Sequence, residues 1–287
     1  MMQPSTVAII LVAAVAHAMW NLASKYKRGD TLLFVWTYTG TSALLCVPIC
    51  VALVITGQQV LHWRLALGAA VSAVLHIAYS LILQVGYDRA ELGVVYPIAR
   101  GTGPLLTMLF AVLLMGEHLT AVAMLGAFLI IAGILVVTGN PFKRASHHPL
   151  LGVLWGAATG ATIAGYTLWD SYSVNSLHLA PISYYTGTLL LQAILLTPSA
   201  LRRRHRIPTA IRTNAMPVLI VAVLSPLAYI LILSAMQTVP VALVAPLRES
   251  SIVIGSLLAC MLFHEGHLAR RIAGAVVVLI GIVAVSL

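Results

Sequence analysis

The sequence predicts an all-α polytopic membrane protein, with ten transmembrane helices arranged as two inverted five-helix repeats. Three observations predict it. First, 61% of the 287 residues are hydrophobic and only 8% are charged, with a mean hydropathy of +1.02, whereas a soluble domain carries about 25% charged residues. Second, ten apolar runs approach or exceed the roughly 20 residues that cross about 30 Å of hydrocarbon. Third, the first half of the chain recurs in the second.

The runs fall at 6–24, 31–56, 65–87, 92–115, 119–138, 150–174, 181–201, 215–237, 240–263 and 268–287. The first lacks a basic leader, is too long for a signal-peptide core and leads into Asn21 and Lys25, so it reads as a spanning helix. Short polar gaps punctuate the rest. Lys25, Lys27 and Arg28 separate runs one and two, and Arg64 precedes the third. Arg89 lies between three and four, and Lys143 and Arg144 between five and six. Arg202, Arg203, Arg204, Arg206 and Arg212 separate seven and eight, and Arg270 and Arg271 open the last. No gap is long enough for a soluble domain. The chain divides into a first repeat at 1–139, a linker at 140–149 and a second repeat at 150–287.

A shift of 148 residues lays Arg100 on Arg248, Glu117 on Glu265, Gly126 on Gly274 and Gly133 on Gly281. A shift of 150 lays Ala78-Tyr79 and Leu81-Ile82-Leu83 on Ala228-Tyr229 and Leu231-Ile232-Leu233. The change of two falls in the short loop between runs three and four. Five spans per copy is odd, so the second copy enters from the opposite face. Such an inverted repeat points to alternating access around a site between the halves.

A net charge of +9 is of the kind nucleic-acid binders carry, but the cations sit in the gaps between spans, and no nucleic-acid partner is expected. Thirteen Lys and Arg lie in the odd-numbered loops against Arg64 alone on the other side. The positive-inside rule then makes the odd loops cytoplasmic and puts both termini outside a cell (inner) membrane. The run Arg202–Arg206 serves this topology and also suits anionic lipid headgroups. Cys46, Cys50 and Cys260 lack metal-ligand spacing and read as small packing residues. His264-Glu265-Gly266-His267 invites a metal reading. Its repeat mate Gly116-Glu117-His118 keeps only the glutamate, so helix-end capping or surface pairing explains it better. Gly152, Gly156 and Gly160, and the seven-residue glycine spacings of helices five and ten, form small-residue faces for close packing, which would also serve a homodimer.

Few ionisable residues fall well inside spans, where each costs a few kcal/mol unless paired or hydrated. They are Arg100, Asp170, Arg248 and Glu249, joined by His17 and His76. Arg100 and Arg248 each lie roughly 12 Å from opposite membrane faces, at 1.5 Å per residue, and bracket the midplane. Two readings are open. In one, the arginines are structural, with Arg248 paired to Glu249 or Asp170 and Arg100 bound to carbonyls of a broken helix. In the other, two arginines and two acids form a polar midplane cavity. Tyr96 shares a helix face with Arg100, and Tyr166 with Asp170. Trp20 and Asn21 occupy the matching part of the first helix. Pro97, Pro104 and Pro246, with Gly101 and Gly103, loosen the backbone near the arginines, which favours the cavity.

The duplicated glutamate and glycine pattern, with the stretches His17–Asn21, Tyr96–Gly101 and Pro246–Ser250, resembles the EamA family of the drug/metabolite transporter superfamily across essentially the whole chain. These stretches are most similar to a branch some of whose members are associated with phosphonate use. The resemblance implies a carrier without bound cofactor, often an exporter of amino acids or related metabolites. By position, Trp20, Tyr79, Tyr96, Arg100, Tyr166, Trp169, Asp170, Tyr229 and Arg248 would face its site. One departure is that many members keep their termini in the cytoplasm, whereas the charge count here places them outside.

The leading expectation is a secondary carrier of a small zwitterionic or anionic metabolite, amino-acid-like or phosphonate-like. Arg100 and Arg248 would hold the anion, and Asp170 or Glu249 would take an ammonium or a coupling proton, with His17 and His76 as further titratable groups. The alternative is a proton-coupled exporter of organic cations held by an aromatic cage, which two buried arginines would repel. A membrane-embedded enzyme is the remote alternative, without HExxH, GxSxG or paired Asp-rich motifs to support it.

Overall fold

The computed structural model describes residues 3–24, 26–57, 59, 62–90, 92–138, 149–255 and 268–286. Among them are ten whole α-helices and a further helical stretch at 250–255. The ten are α1 (Pro4–Ser24), α2 (Thr31–Ile55), α3 (Trp63–Arg89), α4 (Leu92–Met115), α5 (Ala121–Thr138), α6 (Pro149–Asn175), α7 (Pro181–Leu201), α8 (Ile207–Met236), α9 (Val241–Arg248) and α10 (Leu268–Ser286). The described residues contain no strand. Lys25, the linker 140–148, Cys260 and the His264–His267 cluster lie outside the described residues.

Six helical stretches, Pro4–Ser24, Thr31–Ile55, Trp63–Leu83, Val94–Met115, Ala121–Thr138 and Arg204–Met236, are long and apolar enough to cross a membrane. Helices α6 and α7 have the length, at 27 and 21 residues. Their hydropathy is lowered by buried polar side chains, among them Thr159, Thr167, Asp170, Ser183, Thr186 and Thr188. These side chains turn inward, as expected where no water satisfies polar groups outside.

The two halves of the chain interleave. Helix α5 packs along α10, α2 along α7, α1 against α8, α3 against α6 and α7, and α4 against α6 and α9. Glycine sets the closest approaches. A Cβ on Gly126 would sit 2.8 Å from the Gly281 carbonyl, and one on Gly133 2.8 Å from that of Gly274. On α6, Cβ atoms at Gly152, Gly156 and Gly160 would run into Val94, Ile98 and Thr102 of α4. The small-residue faces are therefore spent on contacts inside the chain, where they let backbones approach without a polar cost.

Two departures from the sequence expectation bear on the site. The basic stretch Arg202–Asn214, expected as a loop, is a 3-10 turn at Arg204–Arg206 followed by the first turns of α8, which kinks at Asn214 (φ −114°, ψ 16°). Helix α4 runs unbroken, whereas the span expected at 240–263 is interrupted after Arg248 by a turn at Glu249, with helix resuming over 250–255.

Gly116 adopts a left-handed conformation (φ 68°), which glycine does without steric cost. It ends α4 so that Glu117 reaches across to α9. The Glu117 carboxylate accepts from the Val241 and Ala242 amides at 2.7 and 2.9 Å, meeting two of the four amides a helix start leaves unpaired. The capping expectation holds for Glu117. Replacing it with alanine is expected to cost about 1–2 kcal/mol and lower the Tm in detergent, with the helix that carries Arg248 loosened.

At the α1–α2 end, Asp30 caps α2 through the Leu32 and Leu33 amides, and its two oxygens accept from Arg203 at 2.8 and 2.7 Å. Beside it, the Asn214 side chain bonds both the amide and the carbonyl of Arg28, at 2.8 and 2.9 Å. Burial alone would raise the Asp30 carboxyl. The hydrogen bond from Arg203, the two amides and the guanidinium charge outweigh it and hold the carboxyl below its usual range. The stabilisation is therefore complete above the ordinary aspartate value of about 3.9 and is lost as pH falls through the lowered one. Asp30→Asn is expected to lower the Tm at pH 7, with the difference from wild type closing under acid.

Candidate functional site

Two buried charged centres lie side by side between the halves. Arg100, the ninth residue of α4, donates from Nη1 to Oε2 of Glu249 at 3.0 Å, and its guanidinium lies 5.3 Å from the Tyr96 ring centre one turn earlier. Arg248, the last residue of α9, donates from Nη2 and Nε to Oε1 of the same carboxylate at 3.2 and 3.4 Å. Adjacent residues on a continuous helix do not face each other, so the turn at Glu249 is what lets Arg248 and Glu249 meet. One carboxylate thus serves two guanidiniums. Arg248 and Glu249 are buried, at 4% and 1% side-chain exposure, and Arg100 is 11% exposed. The centre carries one net positive charge.

The second centre is Asp170 of α6, fully buried. Its Oδ1 accepts from Ser72 of α3 at 2.7 Å and Tyr184 of α7 at 2.6 Å; its Oδ2 accepts from Tyr229 of α8 and meets His76 Nε2 at 3.1 Å. Four helices converge on one carboxylate, and its roughly four lone-pair positions are all taken.

Tyr166 lies between the centres. Its ring stacks on His76 at 4.1 Å, with Tyr79 at 5.5 Å and Tyr229 at 6.5 Å, and the Arg248 guanidinium lies 6.0 Å from its ring centre. From α1, His17 and Trp20 pack edge to face at 4.9 Å, and His17 is near enough to feel the charges of Arg100 and Arg248. Both His17 Nε2 and Trp20 Nε1 are buried without a hydrogen-bond partner.

The structure therefore gathers Arg100, Arg248, Glu249, Tyr96, Tyr166, Tyr79, His17, Trp20, His76, Tyr229 and Asp170 into one region. It does not gather the other two expected residues. Trp169 turns to α3, where its indole donates to the Gly68 carbonyl at 3.0 Å, and the Asn21 amide donates to the His17 carbonyl of its own helix at 2.7 Å. The four charges do not share one cavity. Arg248 pairs with Glu249 and not with Asp170, and Arg100 binds Glu249 rather than helix carbonyls. The sequence reading missed Ser72, Tyr184 and Tyr185, the last of which packs on Tyr229 at 4.7 Å. Ser72, His76 and Tyr79 follow the i, i+4, i+7 spacing of one helix face, a signal that was present. Among the described residues, no group of three or more His, Cys, Asp and Glu is placed to hold a metal ion.

The interleaved apolar helices, with a charged centre buried among them, have the architecture of a multi-pass membrane protein. The EamA-like transporter family model matches residues 4–139 and again 150–287. The chain belongs to this family, part of the drug/metabolite transporter superfamily. It is similar to a curated multidrug transporter of Pseudomonas aeruginosa, 42% identical over 72 residues. That match covers 25% of this chain, which spans 63% of the relative's length. A crystal structure 18% identical in sequence shares the fold at a TM-score of 0.78, covering 99% of this chain and 96% of its own.

Proposed function

We propose that the chain is a secondary carrier that moves a small zwitterionic or anionic metabolite across the cell membrane by alternating access, without cofactor or enzymatic activity. The observation that carries this reading is the Arg100–Glu249–Arg248 centre. It carries one net positive charge, balanced within the bundle only by Asp170 across the Tyr166 ring, and the buried ring nitrogens of Trp20 and His17 on α1 lack partners. A carboxylate or phosphonate would neutralise that charge and engage the Trp20 N–H. The Tyr79, Tyr96 and Tyr166 rings would cover the rest of a small substrate, including an ammonium. In this structure both acids are filled by protein donors, so the rings are the better place for a cationic end.

Ten spans in two inverted repeats account for the packing. The contacts exchange between halves: α1 on α8 is mirrored by α6 on α3, α2 on α8 by α7 on α3, while α5–α10, α2–α7 and α4–α9 pair with their own counterparts. The two faces differ. At one, Asn214 and Arg28 are bonded together. A shift of 150 carries these positions to Arg64 and His178 at the other face, where they line a cavity of about 340 Å³. A carrier closed on one side and open on the other would look like this. With the odd loops cytoplasmic, the closed face is the inner one. A reporter fused after Leu287 that is active only in the cytoplasm would reverse this orientation.

An exporter of organic cations is the competing reading, and the relative's description as a multidrug transporter favours it. The net positive centre opposes it. Uptake by proteoliposomes from a mixed metabolite pool, read by mass spectrometry, separates the two. Enrichment of carboxylates, amino acids or phosphonates is expected, and enrichment confined to organic cations would replace the proposal with its competitor.

A further inference from the structure

We propose that His76, oriented by Asp170, is the carrier's proton-binding site, and that its proton travels with the substrate anion. The inference rests on the anion site proposed above and narrows the coupling group from four candidates to one. Glu249 is held by two guanidiniums, at 3.0 Å from Arg100 and 3.2 Å from Arg248, and a proton there would strand both cations. Asp170 is surrounded as an acceptor only. The Ser72, Tyr184 and Tyr229 hydroxyls and the His76 ring occupy both of its oxygens, and a proton there would displace one of these donors. His17 has its Nε2 buried without a hydrogen-bond partner, and no carboxylate pairs with its ring among the described residues. His76 alone combines an adjacent carboxylate with partial exposure, at 15%.

With three hydroxyls already donating to Asp170, His76 contributes Nε2–H as the fourth donor, which leaves the Nδ1 lone pair to take a proton. Against the ring itself stand Asp170 and Tyr166 of α6 and Tyr229 of α8, while Tyr184 of α7 donates to the other Asp170 oxygen and Tyr79 of α3 packs on Tyr166. The charges of α4 and α9 (Arg100, Arg248 and Glu249) lie behind Tyr166. No cation touches the imidazole directly among the described residues.

Charge balance sets the coupling. The two arginines, Glu249 and Asp170 sum to zero with His76 neutral. A monoanion bound at the arginines leaves one uncompensated negative charge in the bundle, and a proton on His76 Nδ1 restores neutrality. Unbalanced charge inside a membrane is costly, so each ligand favours the other through the Tyr166 ring they share. One proton is taken from the solution on one side with the anion and released with it on the other. No bond beyond N–H forms or breaks.

The test uses the full-length protein in detergent, with the simple monoanions formate and acetate as probes. Probe affinity is measured by calorimetry between about pH 5 and 8, and proton uptake on binding by an indicator dye in weak buffer. In wild type, affinity is expected to tighten by up to about tenfold per unit fall in pH, with one proton taken up per anion. His76→Gln keeps a donor toward Asp170 but cannot titrate. It is expected to bind at the weak, high-pH level throughout and to take up no proton. Anion binding without proton uptake in wild type overturns the proton site and leaves the arginine site standing. A pH dependence that survives in His76→Gln also overturns it. Failure of every probe to bind wild type at any pH overturns both.

Discussion

Alanine in place of Arg100 or Arg248 is expected to weaken binding of the carried anion about 100-fold or more. That corresponds to roughly 3 kcal/mol, the lower part of the range for breaking a buried, hydrogen-bonded charge pair. Each substitution removes one of two donors to Glu249 as well as a ligand of the anion, and it converts a positive centre into a neutral one. Arg→Lys keeps the charge but loses the planar fork that makes two parallel hydrogen bonds, so those variants should insert normally and lose less affinity. A purely structural role forecasts the reverse: reduced folded yield for all four variants and normal affinity in whatever survives. Affinity and monodispersity measured together on the four single variants separate these outcomes.

The largest effect on folding is expected at Gly133. A Cβ there would lie 2.7 Å from the Val278 side chain, 2.8 Å from the Gly274 carbonyl oxygen and 2.9 Å from the Val278 amide nitrogen. Backbone atoms cannot swing aside as a side chain can. Gly133→Leu must therefore push α5 and α10 apart, at a cost of about 3 kcal/mol or more, and little monodisperse protein should remain. Gly40 of α2, where a Cβ would meet nothing within 4 Å, provides the control, and Gly40→Ala should behave as wild type. A Gly133→Leu protein that elutes as a sharp peak with an unchanged Tm would contradict this packing.

Much of the fold is legible in the sequence because bilayer thickness leaves few solutions for an apolar run. The glycine spacings of α5 and α10 foretell their close approach, and the recurrence of Glu117 foretells its role at a helix end. What depends on tertiary placement is harder to read. Asp170 and Arg248 are both acids or bases of the midplane by position, yet nothing along the chain says that Glu249 would serve Arg100, 149 residues away. The interruption at Glu249 has no breaker at the site itself, and Pro246 lies three residues before it. Trp169 and Asp170 are neighbours in sequence, but their side chains leave α6 about 100° apart, so only one faces the centre. Tyr184 carries no charge to draw notice, and its importance comes from the carboxylate it meets across α6 and α7.

The central claim is that the buried centre selects for negative charge. Equilibrium binding to purified wild-type protein of glycine, acetate and methylphosphonate, set against choline and tetramethylammonium, tests it directly. The net positive charge of Arg100, Glu249 and Arg248 predicts saturable binding of one or more of the three probes that carry a carboxylate or phosphonate, and none of the two cations. Saturable binding of choline or tetramethylammonium, with none of the anion-bearing probes, would contradict it.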